Sequence, residues 1–150
     1  MKTSITKLFG AAQCSLVGAI ALTMATSTAS AWGIQRLSEM VNLGDSLSDT
    51  GRFYVATGGT QPPPPYYEGR FCNGPVWNEY LASLLDLDLD PEGQLAFGGA
   101  FTGSGNLQSI PPSFILPGFE QQVDAVLARK GNGRVDPRAL YTVWIGANDF

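Results

Sequence analysis

The amino-acid sequence predicts an α/β fold built on a parallel sheet, and three observations predict it. Two short apolar runs, 39–43 (EMVNL) and 139–145 (ALYTVWI), have the length and composition of buried strands. Segments with apolar residues at helical spacing lie between them, which favours parallel pairing of the strands. The candidate strand ends run into glycine and polar residues: Gly44-Asp45-Ser46, Gly98-Gly99 and Gly146-Ala147-Asn148-Asp149. In parallel sheets, functional groups gather just past the C-terminal ends of the strands. These three ends are therefore expected to converge on one crevice.

The first 31 of the 150 residues read as a secretory signal. Lys2 and Lys7 supply the positive start, Leu8 to Met24 is apolar and small, and Ala29-Ser30-Ala31 is a small-x-small cleavage site. The expected domains are a signal peptide over 1–31 and one folded unit over 32–150, secreted or periplasmic after cleavage following Ala31. The apolar run is broken by Gln13 and Ser15 and falls short of the ~20 residues a membrane span requires. Gln13 stands where a lipoprotein signal has a small residue before its cysteine, which argues against an anchor at Cys14. The remainder carries 7 basic and 13 acidic residues, a net charge of −6. That acidity disfavours nucleic acid as a partner. Cys72 is left as a single thiol, so no internal disulfide is expected. The sequence has no histidine, which excludes histidine-based zinc sites within it.

Along the chain, 39–43 is the first strand, and Asp45 to Tyr54 is the turn from it into a helix. Val55 to Pro65 (VATGGTQPPPP) is a loop, in which four prolines favour an extended polyproline course. Pro75 to Asp86 (PVWNEYLASLLD) is a helix with Pro75 at its first position. Trp77, Tyr80, Leu81, Leu84 and Leu85 are expected to form its core-facing side. The acidic run DLDLDPEG lacks the glycine and glutamate spacing of a calcium loop and reads as a solvated connection. Phe119 to Lys130 is an amphipathic helix with Phe119, Val123, Val126 and Leu127 on one side, stopped by Gly131. Ala139 to Ile145 is a buried strand.

The chemistry these ends could support is acyl transfer from an ester. That reaction needs a nucleophile, a base and N–H donors for the oxyanion of the tetrahedral intermediate. Ser46, at the mouth of a strand, is the candidate nucleophile, and its own N–H is one candidate oxyanion donor. Gly99 is the second, because no side chain blocks its N–H. The Asn148 side-chain amide is the third. Taken singly, a Gly-Asp-Ser turn is an ordinary turn, a Gly-Gly pair an ordinary bend, and an asparagine after a strand an ordinary cap. Their order gives them weight.

GDSLSDTG near the start of 32–150, the Gly-Gly-Ala of LAFGGAFTG, GAND after an apolar strand, and EGRFCNGPVWNEYLA together resemble the GDSL lipases and esterases of the SGNH hydrolase superfamily. The resemblance runs from about Val41 to Phe150. It implies a flavodoxin-like three-layer α/β/α fold and a serine ester hydrolase acting on lipid or other small-molecule carboxylic esters. In that reading Ser46 is the nucleophile and an oxyanion donor, Gly99 gives an oxyanion N–H, and Asn148 gives its side-chain amide. Asp45 and Asp49 are expected to brace the turn. The resemblance implies no metal and no organic cofactor. From the residues of the signal segment, no stable membrane span is expected once it is removed. It leaves open whether the product is periplasmic, released, or carried outward by a downstream translocator or C-terminal domain.

The departures from the family pattern matter as much. The family's final block, an aspartate two residues short of a histidine, supplies the general base and its orienting partner, and it is absent from these 150 residues. The chain is accordingly expected to be the N-terminal part of such a hydrolase and poorly active alone. Donors and binding without a base leave an acceleration of about 10³–10⁴ over water. The alternative function is a non-catalytic secreted binding module on the same fold. Gln94 stands where asparagine is usual, and Cys72 where serine is common. A packed, unreactive thiol is the expectation for Cys72.

Overall fold

A computed structural model of the protein describes residues 36–108, 116–129 and 134–150. The signal peptide expected over 1–31 and the helix stop expected at Gly131 lie outside the described residues.

Strand β1 is Met40–Gly44 and strand β2 is Leu140–Trp144. They pair in parallel, in a register that sets Met40 against Leu140 and Gly44 against Trp144. The other side of β1 is flanked by residues 94–97. Asn42 forms a parallel bridge with Gln94, and the N–H groups of Leu95 and Phe97 donate to the carbonyls of Asn42 and Gly44. Three extended segments thus lie side by side in the order 94–97, β1, β2, all running the same way.

Side chains alternate across this sheet, as a pleated strand requires. Val41 and Leu43 point to one face and pack with Leu95 and with Val126 of helix α3, Phe119–Arg129. Phe119, Val123, Ala139 and Tyr141 close over this cluster. Arg129, in the last turn of α3, pairs with Glu39 at 2.9 Å and Asp90 at 3.1 Å, tying the helix to the start of β1. Asn42, between Val41 and Leu43, donates to the Ser48 carbonyl, which also accepts from Asn78 of helix α2, Trp77–Leu84. Helix α1, Arg52–Ala56, buries Phe53 in a second cluster with Phe97 and Leu116. Helices on both faces of a parallel sheet make this the α/β arrangement the sequence predicts.

Four expectations need correction. Pro75 is not the first helical residue: Val76 is the cap, because its N–H donates to the Glu79 carboxylate at 2.8 Å and so fixes the helix start one residue later. The expected apolar side of α2 faces the core only in part: Trp77 and Leu81 are half-buried, and the other three are not. Tyr80 is 58% and Leu84 83% exposed, Leu85 is exposed too, and the buried residues are Asn78 and Ala82. Polar anchors turn the helix: Asn78 reaches the Ser48 carbonyl, and Glu79 takes a two-pronged bond from Arg70. The proline tract does not run as one extended polyproline segment: residues 64–65 form a turn, closed by the Tyr66 N–H donating back to the Pro63 carbonyl at 3.2 Å. Strand β2 is not buried along its length: Val143 is 55% and Trp144 54% exposed. Only one flank of β2 is paired among the described residues. On α3, Phe119, Val123 and Val126 pack as expected, while Leu127 sits at the exposed margin.

Among the described residues, no helix is long and apolar enough to cross a membrane, and no group of three or more His, Cys, Asp or Glu side chains is placed to hold a metal ion.

Candidate functional site

The parallel register brings the three predicted strand ends together. Gly44 and Trp144 are register partners, and the N–H of Asp45 donates to the Trp144 carbonyl at 3.2 Å. On the other flank, the N–H of Phe97 donates to the Gly44 carbonyl at 3.0 Å. Ser46 therefore leaves the sheet between the segments that lead to Gly98-Gly99 and to Gly146-Ala147-Asn148. Asn148 closes the edge: its Nδ2 donates to the carbonyl of Ala100, the residue after Gly99, at 3.0 Å. Asp149 reinforces the link by accepting from the Thr102 N–H and hydroxyl.

Local chemistry explains the Ser46 turn. Asp45 is fully buried, and its Oδ1 accepts the Leu47 N–H at 3.0 Å, an Asx turn that reverses the chain directly after β1. The Ser48 N–H donates to the Asp45 carbonyl, and the Ser48 hydroxyl accepts from the Trp77 indole at 3.0 Å. Gly44 is required here by close approach, since a Cβ at that position would run into the Trp144 carbonyl oxygen. Ser46 is left half-exposed between two buried neighbours on its N-terminal side and a solvent-facing Leu47.

Asp49 is the brace for the whole edge. Its Oδ1 accepts the N–H groups of Gly51 and Arg52, and its Oδ2 accepts those of Phe53 and Gly98. One carboxylate thus organises the first turn of α1 and holds the Gly98-Gly99 turn against it. Burial pushes the Asp49 carboxyl above the usual aspartate value, and the four backbone N–H bonds pull it back without cancelling the shift. Bracing by Asp45 and Asp49 is what the sequence led us to expect.

Gly99 occupies left-handed backbone at φ +79°, where a side chain is strained, and a Cβ there would meet the Asn106 carboxamide. Asn106 holds the glycine pair from outside, donating from Nδ2 to the Gly98 carbonyl at 2.8 Å. The Leu107 N–H donates to the Gly99 carbonyl at 2.7 Å. The N–H groups of Ser46 and Gly99, by contrast, donate to no protein acceptor among the described residues. The Asn148 amide uses one of its two N–H groups on Ala100.

Cys72 is half-buried and donates its thiol to the Gly74 carbonyl, as a packed residue would. Gln94 is buried and donates from Nε2 to the Met40 carbonyl. A cleft of about 550 Å³ opens beside α1, lined by Arg52, Val55, Leu89 and Phe97 among others. Ser46, Gly99 and Asn148 do not line it, so it is separate from the strand-end edge. The sequence reading missed Asn106 and Gln122. Gln122 carried a signal: it is a polar residue set inside the apolar stripe of Phe119, Val123 and Val126.

Comparison with known proteins identifies the family. A family model described as GDSL-like lipase/acylhydrolase matches residues 40–150. The chain is similar to a phosphatidylcholine-sterol acyltransferase of Aeromonas hydrophila, with 36% identity over 138 residues, covering 90% of this chain and 38% of that protein. It is also similar to a thermolabile hemolysin of Vibrio parahaemolyticus serotype O3:K6 (strain RIMD 2210633), with 36% identity over 118 residues, covering 77% of this chain and 26% of that protein. The chain spans well under half the length of either relative.

Proposed function

The chain belongs to the GDSL-like lipase/acylhydrolase family, and from that premise we propose that it carries the nucleophile and oxyanion half of an acyl-transfer site acting on carboxylic esters. Ser46 Oγ attacks the ester carbonyl carbon and gives its proton to a base. The carbonyl oxygen becomes an oxyanion held by the N–H groups of Ser46 and Gly99 and by the Asn148 amide. The tetrahedral intermediate collapses, the alcohol leaves with a proton, and the acyl group stays on Ser46. Water then releases the acid, or a second alcohol takes the acyl group. The steps call on no metal or organic cofactor. Each oxyanion donor lowers the barrier by about 3 kcal/mol.

One observation carries this reading: the register that sets Gly44 beside both Phe97 and Trp144 draws Ser46, Gly99 and Asn148 to one edge of the sheet. Two of the assigned donors have N–H groups without a protein acceptor among the described residues. The similarity to a protein named for phosphatidylcholine favours lipid acyl esters as the substrate class. No base of the imidazole type lies within these 150 residues. We assign that role to sequence outside them, with residues 32–150 as the N-terminal part of the hydrolase domain and 1–31 as a signal peptide cleaved after Ala31.

The missing histidine also favours a second reading, a secreted module that binds esters without turning them over. The two separate in one experiment. The polypeptide from the complete reading frame is assayed on p-nitrophenyl butyrate and treated with a fluorophosphonate. Hydrolysis that falls by about 10⁴-fold or more in Ser46→Ala, with covalent labelling of Ser46, supports the enzyme. Ligand binding with neither turnover nor labelling supports the module. Unchanged turnover in Ser46→Ala removes Ser46 from the mechanism.

A further inference from the structure

Gln122 lies 78 residues from Gly44 in sequence, yet its side-chain amide is joined to Gly44 by two hydrogen bonds. Its Oε1 accepts the Gly44 N–H at 2.8 Å, and its Nε2 donates to the Gly44 carbonyl at 2.8 Å. The residue is 1% exposed, so both bonds form away from water; without Gln122 the buried Gly44 N–H would lose its partner, while the Gly44 carbonyl would keep the Phe97 N–H. Packing does not require a glutamine there. The surrounding stripe of α3 is apolar, and a hydrophobic side chain would fill the space without the need for partners.

The backbone of Gly44 explains the requirement. The Gly44 N–H belongs to the peptide plane before its Cα, and the carbonyl belongs to the plane after it. The plane after it is also held by the Phe97 N–H and, through the Asp45 N–H, by the Trp144 carbonyl; Gln122 ties that plane to the one before it and so helps to fix φ and ψ of Gly44 together. Glycine is the residue that most needs this, because its backbone has the widest freedom. It cannot be replaced by a stiffer residue, since β2 approaches so closely that a Cβ would meet the Trp144 carbonyl. Only Asp45 separates this hinge from Ser46, so rotation at Gly44 would swing both the Ser46 hydroxyl and the Ser46 N–H.

We infer that Gln122 is a positioning residue for acyl transfer: it locks the glycine hinge at the end of β1 and so fixes where the Ser46 nucleophile and oxyanion donor stand. This rests on the assignment of Ser46 made above. A shift of about 1 Å in a reacting group costs on the order of 10²-fold in rate. The lock should therefore appear in kcat, while substrate contacts, and with them KM, stay nearly unchanged.

The test uses the polypeptide from the complete reading frame, with Gln122→Met and Gln122→Glu. Both keep the side-chain length, and they remove both bonds or the donor alone. Active sites are counted by stoichiometric fluorophosphonate labelling, and turnover is expressed per labelled site. A purely structural role lowers the number of sites and leaves the rate per site intact. The positioning role lowers kcat per site by about 10–100-fold for Gln122→Met, with KM within about twofold, and slows labelling in parallel. Gln122→Glu keeps the acceptor and regains a donor when protonated, so its rate per site recovers relative to the parent as pH falls. Turnover per site within twofold of the parent, in whichever variant labels, overturns the inference. Ser46→Ala run alongside keeps the failures apart. If it abolishes turnover while the Gln122 variants do not lower the rate per site, only the positioning role is lost.

Discussion

The two flanks of β1 make the same kind of backbone contact and are held in very different ways. On one side, every residue from Gly93 to Ala100 is buried. Side chains clamp that segment along its length: Gln94 to the Met40 carbonyl, Arg52 to the Leu95 carbonyl, Asp49 to the Gly98 N–H and Asn106 to the Gly98 carbonyl. On the other side, β2 pairs in full register but is only half-covered, and its last two residues face solvent. The register pair Leu43 and Val143 shows the contrast at one rung: Leu43 is 4% exposed and Val143 55%. Backbone pairing sets where the strand ends lie, while side-chain cover sets how firmly each is held. Two of the three proposed site residues, Ser46 and Gly99, sit at the clamped side. Asn148 follows the exposed strand and is tied back by its own amide and by Asp149.

The largest expected effect is at the clamp itself. Asp49→Asn replaces one of two accepting oxygens with an NH₂ that faces backbone N–H groups. Each oxygen accepts two N–H groups, so two charge-assisted bonds are lost and two backbone donors are left unpaired, a destabilisation of about 4 kcal/mol. The urea midpoint should fall accordingly. A change under about 1 kcal/mol would mean that the four N–H bonds do not hold the Gly98 turn, and the contrast between the flanks would fail.

Leu43→Ala comes next, at about 3 kcal/mol, because it removes most of a side chain from the cluster of Val41, Leu95 and Val126. The strand composition and the α3 stripe that create this cluster were legible in the sequence. So was the convergence of the three ends, because glycine and polar residues stop each apolar run at the same side of a parallel sheet. The orientation of α2 was not. Spacing alone makes Tyr80, Leu84 and Leu85 an apolar face, but the helix is turned by Asn78 and Glu79, whose partners Ser48 and Arg70 are distant in sequence. The role of Gln122 was hidden for the same reason, since nothing near it in sequence names Gly44 as its partner. Local pattern shows where chain segments end, and only the tertiary bonds show which polar residues hold them.

Asn148→Ala separates stability from catalysis on the weaker flank. The side chain makes one bond to the Ala100 carbonyl at a half-buried position, so unfolding should cost about 1 kcal/mol less in the variant. If the amide also serves the oxyanion, kcat falls by about 10²–10³-fold with little change in KM. Urea denaturation and steady-state kinetics on the same preparation check both. Loss of stability with no loss of kcat would make Asn148 a tie between strand ends and nothing more.

The smallest expected effect is the most direct check on the contrast between flanks. Val143→Ala sits on the same rung as Leu43 and removes two methyl groups that already face solvent. Little apolar area returns to water on unfolding, so the transfer contribution nearly vanishes. What remains is the lower strand preference of alanine and ordinary surface scatter, within about 0.5 kcal/mol. Measured beside Leu43→Ala in one denaturation series, the two should differ several-fold despite their shared register. A Val143→Ala loss as large as that of Leu43→Ala would mean that this side chain is covered in solution, and that β2 is gripped as tightly as the 94–97 segment.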